Sequence, residues 1–531
     1  MTFQHPYYLF FLPLTAAVYL KLPKRVQTPF LLLASMLFYG LNLRTSYQAT
    51  LQNSSAAVAL FHCGLSVALV VGLALFVWQM ALRIARAEQP HRHRLLTGSV
   101  VTLIATLAVF KYYNLSPLPT IFEGTLLAKL PFPLGISFFT FTAIGYLVDV
   151  ARSDCEAEPS LVNTAVFLYF FGTVTSGPIC RGGKILPQLR TEHRFDETRT
   201  VNSLRLFAVG LFQKVAVADV LALVVNQVFS KEMSSFGAPM LLLALVLYTF
   251  QLYFDFSGYS NMACASGALM GIELPVNFKT PFFATNFSGF WSRWHMSLSS
   301  WLQDYIFMPL AWADVRKTPL IGNQLAKKWE HFPVELCVFL VFTFSGLWHG
   351  NTMLFFVWGL LQASYRIGEE LLHRRFGKPK KKGVSKFVIW RKRIVVFLLW
   401  TFSMLFFRIG SGPNTGSLSE CGTYLSGLLH GWSLPRFGRE LWGAIASGFY
   451  AKPIMQLGWI GLVVLGLAIA FYLDWQQFHH FKGKSPDKVL AGQKPAVRWV
   501  LYYTLVICIL AGFILQSGGF GSGMNFAYAN F

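Results

Sequence analysis

Two histidines stand where an imidazole could do chemistry. His349 interrupts an apolar run over 338–361, reading Phe344-Ser345-Gly346-Leu347-Trp348-His349-Gly350-Asn351 before Leu354-Phe355-Phe356-Val357-Trp358 resumes. An ionisable side chain at bilayer depth is costly and by default marks a working site. Burial disfavours the charged form, which leaves a neutral imidazole able to take a proton from a hydroxyl. Ser345, one helical turn before, and Thr352, nearly one turn after, are placed to orient the ring. Two plainer readings stand beside this one: a buried histidine merely satisfied by such neighbours, and Gly346 with Gly350 as a small-x-x-x-small packing face. His295 lies 54 residues upstream, within Phe290-Trp291-Ser292-Arg293-Trp294-His295-Met296. There a headgroup contact competes with a chemical role.

Other polar groups fall in apolar surroundings. The segment Tyr253-Phe254-Asp255-Phe256-Ser257-Gly258-Tyr259-Ser260-Asn261 holds a carboxylate that needs an arginine, a histidine or a hydroxyl network as partner. It reads equally as a structural hydrogen-bond cluster. Thr173-Val174-Thr175-Ser176-Gly177-Pro178-Ile179-Cys180-Arg181 ends a run with a break and a base. Arg181 could hold a phosphate-bearing ligand, or simply face the cytoplasm. The seven cysteines have no paired spacing, and His91, His93 and the His479-His480 pair lack ligand partners, so neither disulfides nor a metal site is expected. Walker, G-x-G-x-x-G and G-x-S-x-G motifs are absent.

The elements that must position these groups are membrane helices. With 54% hydrophobic and only 13% charged residues and a mean hydropathy of +0.49, the 531-residue chain reads as a polytopic membrane protein. Apolar runs recur at 7–22, 28–43, 56–82, 95–110, 131–150, 161–179, 203–229, 237–270, 335–362, 394–410, 454–473 and 498–515. Some must be short, broken or re-entrant; 237–270 is too long for one straight span. The first run, without a basic flank or cleavage site, reads as a retained span. The formal charge of +22 comes from bases between the runs, so an anionic leaflet explains it and nucleic acid is not a partner. Gaps 21–25, 83–94, 181–205 and the basic loop 371–393 are expected in the cytoplasm, and the N-terminus and the glycine-rich tail 516–531 outside. Within 281–334, Trp291, Trp294, Leu298, Trp301 and Tyr305 fall on one helical face, with Arg293, Ser297, Ser300 and Asp304 on another, which reads as an amphipathic helix lying in the interface. No internal repeat is visible, against an inverted-repeat transporter.

Taken together, the segments resemble the membrane-bound O-acyltransferase (MBOAT) family, in the bacterial branch of the alginate O-acetylation and teichoic acid D-alanine exporter type. The resemblance rests on Phe10-Phe11-Leu12-Pro13, Ser176-Gly177-Pro178-Ile179, 253–260, the stretch 290–305 and Gly346-Leu347-Trp348-His349-Gly350, in the family's order. It departs at Asn261, where the family usually has Asp, and at Asn351, where it often has Ala. It implies an all-α bundle of about eleven or twelve spans, with re-entrant and interfacial helices around a central tunnel, forming a single membrane domain over 1–531. It implies a multi-pass protein of the bacterial inner membrane, with His349 catalytic and His295 the second important histidine. Arg181, Asp255, Ser257, Tyr259, Asn261, Trp291, Arg293, Trp294, Asp304, Ser345, Trp348 and Asn351 are the donor or tunnel candidates. The tail resembles an F-x-Y-F-x-F ending, with Ala529 in place of one Phe, and makes Tyr528 a candidate acyl carrier. Partners implied are membrane lipid, an extracytoplasmic acetyltransferase or esterase-like protein and a polysaccharide acceptor. No cofactor is expected to be bound, and acetyl-CoA is the expected donor. D-alanyl transfer, or a transporter or flippase with His349 as proton relay, are the alternatives.

Overall fold

The structure, a computed structural model, describes all residues except 1–2, 52–54, 114–120, 123–124, 127–129, 132, 231–232, 318–328, 351, 378–383, 413–415, 449–452 and 518–531. The described residues fold as helices, with a single isolated bridge pairing Asp314 and His331. Eight of these helices are long and apolar enough to cross a membrane: Lys24–Gln48, Ala56–Arg86, His91–Tyr112, Glu197–Phe229, Ala238–Leu269, Lys386–Gly410, Pro453–His479 and Pro495–Gln516. Pro6–Tyr19 and Val334–His349 are apolar but shorter.

Among the described residues, the long apolar helices number fewer than the dozen apolar runs, because glycine and proline cut several runs. The run 131–150 becomes Ile136–Arg152, entered through Gly135. Gly135 has φ 75°, and a Cβ there would lie 1.7 Å from the Val174 carbonyl oxygen, so only glycine starts this helix. The run 161–179 keeps one short helix, Leu161–Tyr169, before turns lead to Pro178. The run 335–362 divides into Val334–His349 and Met353–Phe376. By contrast, 237–270 is not broken: Ala238–Leu269 is continuous over 32 residues. At ~1.5 Å per residue it exceeds a hydrocarbon core of about 30 Å, and most of it is buried in protein rather than exposed to lipid. The described residues of the basic stretch 371–393 include the end of Met353–Phe376 and the start of Lys386–Gly410.

Cα packing resolves two compact units, residues 1–207 with 259–275, and 208–258 with 276–531. In the first, Tyr8, Phe11, Phe38 and Phe171 form an aromatic core, and the Tyr8 hydroxyl bonds the Ser266 hydroxyl at 2.8 Å. The second unit is built on Asp255, His295, His349 and the helices around them.

Candidate active site

His349 is the last residue of Val334–His349, not the middle of a longer helix. The next helix folds back on it as a close hairpin. A Cβ on Gly346 would meet the Phe355 carbonyl oxygen at 2.4 Å, and one on Gly359 would meet the Phe342 carbonyl oxygen at 2.5 Å. Small-residue packing therefore does operate here, and it fixes the helix end that carries the histidine. Gly350 makes the exit, where a side chain would strike the Phe355 ring. The imidazole is buried. It meets Trp358 edge-on at 5.0 Å, Phe407 at 5.2 Å and the neighbouring Trp348 at 4.7 Å. Ser345 is buried one turn before it, as expected. Thr352 is not one turn after it, because the break intervenes and Thr352 caps the next helix.

His295 sits at a second break. The single amphipathic face expected over 291–305 is interrupted: Phe287–Trp291 ends, the chain turns, and His295 takes left-handed angles (φ 42°, ψ 52°) at the start of Met296–Leu302. Backbone bonds from Met296 to the Asn277 carbonyl (2.9 Å) and from Lys279 to the Arg293 carbonyl (3.0 Å) hold the turn against residues 277–279. The ring is buried, against the headgroup-contact reading. Its Nδ1 lies 3.4 Å from Asn277 Oδ1, which accepts from the Ser297 hydroxyl (2.6 Å) and amide (3.2 Å). Phe256 lies edge-on at 4.7 Å. Burial pushes the His295 pKa down to about 3, so the ring is neutral at ordinary pH.

An aromatic column joins the two histidines. Trp294 and Trp291 lie 4.9 and 5.8 Å from Trp400, and Trp291 lies 6.2 Å from Trp358, which reaches both His349 and Phe407. Trp400 and Phe407 are seven residues apart on one helix, a rise of ~10 Å. His295 reaches the column through Phe256 and Phe278, which meets Trp294, and Trp348 flanks His349, so five of the expected residues, Trp291, Trp294, His295, Trp348 and His349, lie along one connected run of rings.

The polar partners are less legible. Asp255 is paired with Lys214, at 2.7 Å, and Lys214 also contacts Asp219 at 2.6 Å. All three side chains are buried, and Gln516 donates to Asp219 at 3.2 Å. Lys214 lies in a π-helical stretch, Phe212–Ala218, a local irregularity of the kind found at working sites. Tyr253 donates to Asp474 at 2.9 Å. Arg293 lies over the Phe478 ring at 5.2 Å and Arg393 lies 5.1 Å from the same ring. Arg393 also stacks on Phe283 and Trp390 and donates to the Phe283 carbonyl at 3.2 Å, so it is buried rather than part of a solvated loop. Among the described residues neither arginine has a carboxylate within ion-pair range.

The remaining expected residues scatter. Ser257 is buried in the second unit, and Asp304 is exposed on the π-helical turn Gln303–Phe307. Arg181, Tyr259 and Asn261 belong to the first unit, where the Tyr259 hydroxyl bonds Thr175. Asn351 and Tyr528 lie outside the described residues. Sequence reasoning missed Lys214, Asp219, Asn277 and Arg393. The first two carried a visible signal, a base and an acid five residues apart inside an apolar run.

A polytopic helical bundle with a buried histidine at a helix break defines a class of membrane enzyme, and comparison with known proteins specifies it. The model of the membrane-bound O-acyltransferase family (MBOAT) matches residues 99–409. The chain is 31% identical to a probable alginate O-acetylase AlgI of Pseudomonas aeruginosa, over 77% of this chain and 72% of that protein. It is 30% identical to a peptidoglycan O-acetyltransferase of Helicobacter pylori, over 64% and 67%, and 30% identical to a teichoic acid D-alanyltransferase of Streptococcus thermophilus, over 52% and 68%. The chain belongs to the membrane-bound O-acyltransferase family and is an acyltransferase.

Proposed function

We propose that this enzyme takes acetyl from cytosolic acetyl-CoA and passes it across the bacterial inner membrane for O-acetylation of an extracytoplasmic polysaccharide, with a secreted acetyltransferase or esterase-like protein as partner. The observation that carries this reading is the pair of buried histidines, His295 and His349, linked by one run of aromatic rings. His349 takes the proton of an acceptor hydroxyl as its oxygen attacks the thioester carbonyl. The tetrahedral oxyanion then collapses, the carbon–sulfur bond breaks, and the proton passes to the departing CoA thiolate. Water exclusion by Trp348, Trp358 and Phe407 protects the thioester from hydrolysis. Donor entry from the cytoplasm is supported by the two guanidinium groups around Phe478, which lack carboxylates and suit phosphate. The chain after Phe478 continues into a base-rich stretch, 482–498, which suits the cytoplasmic side.

The test is release of free thiol from acetyl-CoA by the purified full chain supplied with its partner. Thiol release that depends on His349 is expected. Proton-coupled transport without thioester cleavage would overturn the reading, and activity only with a D-alanyl carrier thioester would reassign the donor.

A further inference from the structure

The second unit has an open polar cavity that the acyl-transfer wall does not use. Its volume is about 650 Å³, within the range of small-molecule sites. Its walls come from the turn Met233–Ser235, inside the 99–409 family match, and from two short helices beyond it, Leu418–Gly427 and Leu434–Gly448. Ser419, Thr423 and Ser426 repeat at i, i+4 and i+7 and so share one face of their helix, with His430 just beyond; all four are exposed and line the cavity. The opposite face is the packed one: Cys421 and Tyr424 are buried, and the Tyr424 hydroxyl donates to the Leu241 carbonyl at 2.5 Å.

The cavity is braced by its own polar groups. Arg436 donates to Glu440 at 2.6 Å and to the Ser235 carbonyl at 2.8 Å. Glu440 in turn accepts from the Gly237 amide at 3.1 Å, and the Ala238 amide donates to the His430 carbonyl at 3.1 Å. His430 Nδ1 donates to the Ser426 carbonyl at 2.9 Å. With Nδ1 donating, an uncharged ring presents Nε2 as an acceptor.

These groups select a ligand chemistry. A ligand with several hydroxyls suits the four lining side-chain hydroxyls, those of Ser234, Ser419, Thr423 and Ser426, and one imidazole acceptor, and the half-buried Phe236 ring supplies an apolar wall. An apolar ligand would strand those hydroxyls. An anion would find the one guanidinium already neutralised by Glu440. The open rim admits a polymer rather than enclosing a small molecule. We propose that this cavity binds a neutral saccharide chain, and so names the class of acceptor in the acetylation reading on which it rests. Its position agrees: it follows Gly410 at the far end of Lys386–Gly410 from Arg393, the end placed outside the cytoplasm.

The test uses the full chain in lipid nanodiscs prepared without sugar-based detergent. Binding of N-acetylglucosamine tetramer, cellotetraose and mannuronate tetramer is measured at equilibrium. At least one neutral tetramer is expected to bind more tightly than the acidic one. Thr423→Leu, which fills the hydroxyl face, should weaken that binding at least tenfold, and so should His430→Leu if Thr423→Leu fails to accumulate. Absence of neutral tetramer binding, tighter binding of mannuronate, or unchanged affinity in the substituted chain would each overturn the site. Docking of a secreted protein that is unaffected by saccharide would overturn it equally. Thiol release from acetyl-CoA is followed on the same preparations. Saccharide binding without thiol release removes the acetyl-CoA donor reading but keeps the site, and thiol release without saccharide binding does the reverse.

Discussion

Lys214 Nζ lies 2.7 Å from Asp255 Oδ1, and this ion pair joins two helices in the interior of the second unit. With Asp219 at 2.6 Å the lysine serves two carboxylates. Removing one partner of a buried pair leaves a charge without compensation, at a cost of about 3–5 kcal/mol. Lys214→Met is therefore expected to lower the thermal transition of the purified protein sharply. Replacing all three residues with apolar side chains of similar volume should restore much of it. A Lys214→Met protein that melts with the wild type would show that the three groups are not ionised and paired.

His349→Ala is expected to abolish acyl transfer while the protein accumulates in the membrane. Gln should fail as well, because an amide cannot act as a general base. The loss should be on the order of 10²–10⁴ in rate. Near-normal acetylation by well-expressed His349→Ala would sink the mechanism.

The buried His295 gives a pH signature. Its pKa falls from an ordinary 6.5 to about 3 in the folded protein. Between these values the unfolded chain binds the proton and the folded chain does not. Its stability contribution is thus intact above pH 6.5 and declines as pH drops below it, by up to ~1.4 kcal/mol per unit. Melting at pH 7.5 and 5.5 should differ less for His295→Asn than for the wild type. Equal pH dependence in both would mean that the ring is hydrated.

Orientation can be read by labelling. In a chain without its native cysteines, Ser426→Cys should react with a membrane-impermeant thiol reagent in intact cells, and Lys484→Cys only after lysis. The reverse pattern would invert the topology and move the Arg293 and Arg393 pair to the outer side.

The glycine-rich tail makes a separate prediction. Nine extended residues reach roughly 30 Å, enough for the Tyr528 hydroxyl to approach a base. If Tyr528 carries the acyl group, Tyr528→Phe should lose polysaccharide acetylation, although Phe preserves an aromatic anchor. Full acetylation by this variant would reduce the tail to an anchor.

The sequence by itself determined the helical membrane class and the order of the family motifs, and it singled out two candidate histidines, because hydropathy and motif spacing are local properties. It also showed that Asp255 needed a partner. Only the tertiary structure decided that the partner is Lys214, that His295 is set by a left-handed turn against Asn277, and that Arg393 is buried on aromatic rings. Such pairings depend on which helices pack side by side, and helices that are apolar on most faces carry no stripe that names their neighbours. The break after His349 lay between the two levels. Gly350 was visible in the sequence, but the Phe355 ring that makes glycine necessary there arrives only when the next helix folds back.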